Sequence, residues 1–586
     1  MDASLPISFG LVEAALTSPH ASALISGNDT HEPAMRLAAR LVRHTDDADF
    51  IEEIIRSLLP GDYAGNTLDE VAGMVSSALE KGFHETQDRG GRGISQPKAS
   101  EEGLRLARNA GMELFKDEVG EAYASIPQPG GGVLTHAVRS GAMRRWVRGV
   151  YYSAKGKPIS QQAFAEVLDT IEALAETEGT EKQIHVRIGS AGDGIFIDIG
   201  DATGRVVEIS AKGWEIRSTC LIKFVRPPGF GVLPLPTRGG ELSPLQMLLG
   251  LDDNQWVLVL AFLVNCYQPT GPYMCLILSA EQGAGKSFLS DVIKRIVDPN
   301  TVRKTTLPKN EHELMIHATQ HALLVFDNVS RVNWDISDVL SILATGGGLL
   351  TRKYYTDNES RIFNQMRPFI LNGIGAFADR PDLLDRAINV HLSEIPADKR
   401  KTERTMLAEF EAMLPVVLGH LYDIVSGALN ERHAVAPSTT IRMADAAQWL
   451  TAAETAAGLP AGIFIQALRE SQASVLAEQA SNDPLLTLLS VWLSAAPNRL
   501  FEGSVSELHA ELHGEAGLRD KWFPQTPAHL SNRLTRTKPI AANIGIGIEF
   551  LPRNRKGSRV RISILGDPDV GENSEKTRDS SGRPKY

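Results

Sequence analysis

Residues 275–299 read CLILSAEQGAGKSFLSDVIKRIVDP, and the order of residue types within them decides the fold class. Cys275–Leu278 is an unbroken apolar run, the pattern of a parallel strand covered on both faces. After a glycine-bearing turn, Phe288, Leu289, Val292, Ile293, Ile296 and Val297 recur at helical spacing until Asp298-Pro299 ends the helix. The turn, AEQGAGKS, fits the phosphate-binding pattern G-x-x-x-x-G-K-[ST], with Ala280 in place of the first glycine.

That chemistry needs these residue types. Several backbone N–H groups must converge on an anion at a helix N-terminus, where the helix dipole adds favourable charge. Gly283 and Gly285 let the backbone wrap that closely. Lys286 offers a compact charge to phosphate oxygens, and Ser287 a hydroxyl for Mg²⁺. Gln282, Gly283, Ala284, Gly285, Lys286, Ser287 and Phe288 are thus the expected ATP contacts. Glycine-rich strand-to-helix turns also occur without nucleotides, but the strand, the helix and Gly-Lys-Ser at the joint favour ATP.

Working outward, 586 residues exceed a single core and predict several domains. Hydrophobic content of 42% and 22% charged residues are those of an ordinary globular chain. The net charge of −11 argues against a wholly basic coat protein, leaving local basic patches as the route to nucleic acid. Three cysteines without CxxC spacing exclude a zinc ribbon and offer no disulfide framework. The N-terminus lacks the features of a signal peptide, so the cytoplasm is expected and no membrane partner is. The apolar run Trp256–Tyr267 is too short to span a bilayer and reads as a buried helix.

Residues 1–95 predict a helical domain, from AMRLAARLVRH, DADFIEEIIRSLL and GNTLDEVAGMVSSALEKGF. This segment resembles the small helical domain found beside primase cores in mobile-element replication proteins; a plain docking scaffold is an equal reading. A polar linker covers 84–101. Residues 102–238 predict an α+β domain. Within it, Arg139, Arg144, Arg145, Arg148, Lys155 and Lys157 surround Trp146, Tyr151 and Tyr152. That mixture suits single-stranded nucleic acid, or an amphipathic helix with its aromatics in the core. From Gln183, alternating segments predict a β-meander. Asp198 and Asp201 are three apart and point to opposite faces of a strand, so they mark a turn rather than a metal site. PPGFGVLPLPTRGG then connects to residues 240–430.

There, HALLVFD (321–327) forms a second buried strand that ends in Asp327, placed to hold Mg²⁺ with Ser287. The next residue is Asn328, where many ring ATPases carry a glutamate, leaving Asn328, Asp335 or Asp338 to handle the lytic water. After Gly346-Gly347-Gly348, LLTRKYYTD rises as a hairpin with Arg352 and Lys353 beside two tyrosines, suited to a phosphate backbone or simply solvated. A third strand delivers Asn372 to the same sheet edge. RPDLLDRAI supplies Arg380 and Arg386, of which Arg386 is favoured to reach a neighbouring subunit, with pairing to Asp382 or Asp385 as the rival reading.

The series SAEQGAGKS, LLVFDN, ATGGGLLTRKYYTD, FILNGI and PDLLDRAI is similar to the ATPase module of superfamily 3 and related phage- and plasmid-type replicative helicases. The resemblance implies an AAA+-type P-loop core, a hexameric ring, ATP hydrolysis and movement on DNA. The expected catalytic residues are Lys286, Asp327, Asn328, Asn372 and Arg386, with Ala280 and Asn328 departing from the family's pattern.

Residues 431–480 are expected to be helical, and 567–586 to be a disordered tail. Residues 483–566 predict three helices and a hairpin, the order of a winged helix that binds duplex DNA or only protein. Arg533 and Arg536 are placed on its exposed helix, beside Ser531 and Asn532. Arg553, Arg555, Lys556, Arg559 and Arg561 are placed at its wing. The resulting expectation is a multidomain α/β protein, a ring-forming DNA helicase of a mobile element. A nucleotide-switched loader and an anti-phage defence ATPase are the competing classes.

Overall fold

The structure is a computed structural model. It describes residues 19–27, 30–42, 45, 47–61, 63–80, 98–128, 131–281, 283–352, 360–375, 377–378, 380–394, 401–436, 441–516, 522–554 and 557–565. Gln282, Lys353, Arg555, Lys556, most of the 84–101 linker and the 567–586 tail lie outside them. The chain divides into two units, Met1–Lys98 and Ala99–Tyr586.

The first unit holds four described helices: α1 (Pro19–Ser26), α2 (His31–Leu41), α3 (Ala48–Ser57) and α4 (Thr67–Glu80). Apolar residues at three-to-four spacing meet in one core of Leu24, Leu37, Leu41, Ile51, Ile55, Val71 and Val75. Asp47 caps α3 by accepting from the Phe50 N–H at 3.1 Å.

The second unit begins with α5 (Ala99–Asn109), β1 (Glu113–Lys116), β2 (Ala122–Pro127), β3 (Val133–Ala137), α6 (Gly141–Lys155), α7 (Gln161–Thr177) and β4 (Thr180–Glu181). These strands form a sheet of order β3-β2-β1-β4. Ser140 caps α6, and Gly156 at φ 66° ends it. Along α6, Met143, Val147 and Tyr151 are buried while Tyr152 is exposed. Arg139 pairs with Asp169 and Glu172, Lys155 pairs with Glu102, and the Arg148 guanidinium lies 4.2 Å from the Phe164 ring centroid. Much of the basic stretch is therefore engaged inside its own domain.

Next come β5 (Ile184–His185), β6 (Ile188–Ala191), β7 (Gly194–Asp198), β8 (Val206–Ser210), β9 (Gly213–Arg217) and β10 (Lys223–Phe224). β6 to β9 form an antiparallel meander, whereas β5 leaves it and pairs with β10. The break falls at Arg187, which has φ 62° and is fully buried. QIHVRIGS therefore supplies two short strands in different sheets rather than one. Asp198 closes onto Arg226 at 2.6 and 2.7 Å, and Asp201 accepts the Thr203 and Arg205 N–H groups of a turn.

The centre contains α8 (Ser243–Leu249), α9 (Asp253–Asn265), β11 (Cys275–Ser279), α10 (Lys286–Val297), α11 (Glu311–Gln320), β12 (Leu324–Val329), α12 (Trp334–Thr345), β13 (Leu349–Arg352), β14 (Ser360–Phe363), β15 (Phe369–Gly373), α13 (Pro381–Leu384) and β16 (Ala387–His391). β11, β12, β15 and β16 form a wholly parallel sheet of order β12-β15-β11-β16. Both faces are covered, by α9 and α10 on one side and α11 and α12 on the other. That explains strands without polar alternation. β13 and β14 form a separate hairpin.

Three helices follow: α14 (Glu403–Glu431), α15 (Ala444–Ala453) and α16 (Ile463–Asn482). α14 alone among the described helices is long and apolar enough to cross a membrane, and 61% of its apolar window is buried within the protein. The sequence pattern sets a boundary near 238–240, but the hydrophobic core runs across it. Ile195, Ile197, Val207, Ile209 and Trp214 of the meander share a cluster with α9 and α14. Trp214 Nε1 donates to Asp423 at 2.9 Å, and Ser426 donates to the Ser210 carbonyl at 2.6 Å. The proline-rich connector lies against α14, where a Cβ at Gly419 would meet the Thr237 carbonyl oxygen at 1.9 Å.

The last portion contains α17 (Pro484–Ala495), β17 (Leu500–Ser504), α18 (Val505–Ala516), α19 (Pro527–Asn543), β18 (Ile546–Asn554) and β19 (Gly557–Ile564). Its sheet has the order β17-β19-β18. β17 is a strand beyond the expected hairpin; LFEGS is too short and too weakly alternating to declare itself before β19 supplies its partner.

Candidate functional site

Three strand ends and one helix start converge at the C-terminal edge of the parallel sheet. Gly283 and Gly285 have φ of 87° and 81°, conformations open to glycine at little cost. Gly285 is the residue before α10, so the unpaired N–H groups of the first turn gather at the loop. Lys286 Nζ folds back over the loop and donates to the Ala280 and Glu281 carbonyls at 2.9 and 2.8 Å. Burial holds its pKa below the ordinary lysine value, against the opposing pull of Asp327.

Ser287, Asp327 and Asn372 form one hydrogen-bonded cluster. β15 lies between β11 and β12, with Leu278 paired to Asn372 and Phe326 to Leu371. Asn372 therefore sits between the loop strand and the acid strand. Its Nδ2 donates to Asp327 Oδ1 at 2.7 Å and lies 3.5 Å from Ser287 Oγ. Ser287 Oγ donates to the same Oδ1 at 3.3 Å. Asn372 is 1% exposed, so its amide is fixed.

Asn328 has φ 56° and donates its own N–H to Asp327 Oδ1 at 2.9 Å. The strand register shifts between Phe326 and Val329 to accommodate it. Asparagine is among the few residues besides glycine that adopt this left-handed conformation readily. The asparagine at this position thus has a backbone reason, and its amide N–H serves the acid.

Lys304 belongs to the site although the sequence reading passed over it. Its Nζ lies 3.7 Å from Asp327 Oδ2 and 3.2 Å from the Ser287 carbonyl oxygen. The only sequence signal is a basic residue beside Thr305, which acquires meaning once Thr305 pairs with Phe326 as an isolated parallel bridge. On the other side of β11, Ser279 Oγ is 3.2 Å from His391 Nδ1.

The donor set suits Mg²⁺. The cation prefers oxygen and keeps few protein ligands beside phosphate oxygens and water, as Ser287 and Asp327 would provide. Among the described residues no group of three or more His, Cys, Asp or Glu is placed to hold a metal by itself.

The remaining expected residues stand apart from this cluster. Phe288, the third residue of α10, is partly buried and packs against the core. Arg386 precedes β16, whose Ala387 is level with Cys275 at the opposite end of β11 from the loop. It donates to the Asp382 carbonyl, and its guanidinium is 3.7 Å from the Asp382 carboxylate. Arg380 pairs with Asp338 and Asp382 and lies 4.6 Å over the Trp334 ring. Asp338 is thereby engaged away from the cluster. Arg352 closes β13, beside the undescribed Lys353.

In the C-terminal portion, Arg533 is not a free surface cation. It donates to the Trp522 carbonyl and to Asp483 at 3.0 and 3.2 Å. Arg536 is exposed but lies 5.4 Å over the Trp334 ring, facing the central sheet's α12. At the wing, Arg559 and Arg561 pair with Glu502, and Arg561 also with Glu549. Those carboxylates are on β17 and β18, neighbours that sequence order does not reveal. Arg553 is exposed and bonds Ser558 Oγ at 3.1 Å.

Residues 247–475 match the family model described as the actinomycete integrative conjugative element replication protein. Residues 486–576 match the model of the AICE RepA C-terminal domain. No curated protein matches. Solved structures that align include the A form apo structure of the NrS-1 C terminal region, at 13% identity and a TM-score of 0.35, covering 79% of this chain and 99% of that one. A second apo structure of that region aligns at 12% identity and a TM-score of 0.36, covering 80% and 100%.

Proposed function

We propose, taking as premise that the chain belongs over residues 247–475 and 486–576 to the replication proteins of actinomycete integrative conjugative elements, that it is an ATP-driven DNA helicase or translocase. The observation that carries this reading is the Ser287–Asp327–Asn372 cluster beneath a phosphate-type loop. In this reading the loop N–H groups and Lys286 bind the triphosphate, and Asn372 holds Asp327 in place and orients water near the terminal phosphate. Mg²⁺, when bound at Ser287 and Asp327, would neutralise charge on the phosphate oxygens.

The wider architecture belongs to the same proposal. The central sheet, with the Asn372 strand between the loop and acid strands, is read as an AAA+-type core of the superfamily 3 kind. The β17-β19-β18 sheet with its three helices is read as a winged helix. Subunits would close head to tail into a ring, so that Arg386, at the end of the sheet away from the loop, or else Arg380 meets a neighbour's nucleotide. The β13–β14 hairpin would face single-stranded DNA, and Arg553 with the wing tip would face duplex.

A second reading, a nucleotide-switched loader, is favoured by Asn328, since a left-handed asparagine supplies no carboxylate to take a proton. ATP hydrolysis and strand displacement measured together, with Lys286→Ala as control, separate the two. Helicase action requires unwinding that Lys286→Ala abolishes. DNA-stimulated hydrolysis without any strand separation by wild type refutes it in favour of the loader.

A further inference from the structure

We infer that Lys304 is a second lysine of the nucleotide site, contributed in cis, which competes with the divalent cation for Asp327 and passes its charge to the phosphates when the cation arrives. This deepens the ATP-binding reading above and rests on it.

The two oxygens of Asp327 are not equivalent. Oδ1 collects three donors, from Asn372 Nδ2 at 2.7 Å, the Asn328 N–H at 2.9 Å and Ser287 Oγ at 3.3 Å. Oδ2 faces Lys304 Nζ at 3.7 Å. A carboxylate oxygen with three donors has little capacity left, so Oδ2 is the oxygen open to a cation. Lys304 occupies the approach to it.

The backbone around Lys304 is fixed on both sides. Arg303 Nη1 donates to Asp291 of α10 at 2.8 Å. The Thr305 N–H donates to the Val325 carbonyl at 3.0 Å, and its carbonyl accepts the Asp327 N–H at 2.9 Å. The Lys304 side chain is thus directed into the angle between α10 and β12, where its Nζ also reaches the Ser287 carbonyl oxygen at 3.2 Å. Ser287 lies in the first turn of α10, whose N-terminus would receive the phosphates, so an ammonium released from Oδ2 stays beside them. Lys286, by contrast, engages the loop carbonyls on the other side. The side chain of Lys304 is 29% exposed, so truncating it removes packing along with charge, and melting temperature is read beside binding.

The test uses the full chain and equilibrium binding of a fluorescent, non-hydrolysable ATP analogue, in EDTA and across a Mg²⁺ titration. Lys304→Ala is expected to weaken metal-free binding about tenfold, because without the cation Lys304 is the charge that screens the phosphates from the Asp327 carboxylate. It is also expected to move the Mg²⁺ midpoint to lower concentration, because the competing charge is gone. Lys304→Arg should retain metal-free affinity. Unchanged metal-free affinity and midpoint in Lys304→Ala, with binding abolished in Lys286→Ala, overturns the role of Lys304 alone. Equal loss with and without Mg²⁺, accompanied by a lowered melting temperature, also overturns it by making Lys304 merely structural. Wild-type binding by Lys286→Ala would instead remove the nucleotide site itself.

Discussion

Removing the carboxylate of Asp298 should do more damage than any single change at the nucleotide loop. Asp298 follows the last turn of α10 and is 1% exposed. Its Oδ2 accepts from Lys294 Nζ at 2.7 Å and from the Ala322 and Leu323 N–H groups at 2.9 and 3.3 Å. Its Oδ1 faces Arg187 Nε at 3.4 Å. One side chain thus joins the end of the loop helix, the entry to the acid strand and the residue where the meander begins. Burial opposes its ionisation, but the charges of Lys294 and Arg187 overcome that and hold its pKa at about 2. Asp298→Ala leaves two cations without their shared carboxylate, and breaking one buried pair from one side costs about 3–5 kcal/mol. Two orphaned backbone N–H groups add about 1–3 kcal/mol each. The combined loss, at least about 5 kcal/mol, rivals the whole stability of a typical domain. Asp298→Asn keeps an acceptor and should lose less. Pairing it with Lys294→Met should recover part of that loss, because the close charges couple. Urea unfolding followed by tryptophan fluorescence, with nucleotide binding measured in parallel, reads both effects. A soluble Asp298→Ala protein that binds nucleotide normally and loses under about 1 kcal/mol would refute this account of the network.

Two further outcomes are expected. Burial, then the charge of Lys294, lowers the pKa of His321 to about 4, and burial, then Arg367, does the same for His185. The unfolded chain takes up these protons first, so the stability from both is complete above about pH 6.5 and lost as pH falls toward 4. The loss is up to about 3 kcal/mol per histidine, and unfolding midpoints between pH 7 and 4.5 should flatten in His321→Asn. At Asn328, with φ 56°, Asn328→Gly should keep the melting temperature, while Asn328→Ala should cost about 1 kcal/mol. An alanine variant as stable as wild type would show that the left-handed backbone carries no such constraint.

What was legible in the sequence was local. The loop, its strand and its helix were readable because Gly283, Gly285, Lys286 and Ser287 act through a backbone turn that only adjacent residues define. Asp327 and Asn372 could be marked as strand-end polar residues because each follows an apolar run. That Asn372 donates to an Asp327 oxygen was decided by strand order, since β15 enters the sheet between β11 and β12. Lys304 became part of the site only through the bridge at Thr305. Nothing in the sequence marks Arg187, which partners more than a hundred residues away make the buried joint of two sheets. At the wing, Arg559 and Arg561 read as free charge because Glu502 and Glu549, which pair with them, are neighbours across strands and not along the chain. Periodicity and turn chemistry are properties of short segments and survive in one dimension. Charge pairing, burial and the sharing of an acceptor depend on which segments meet, and that was decided only by the tertiary structure.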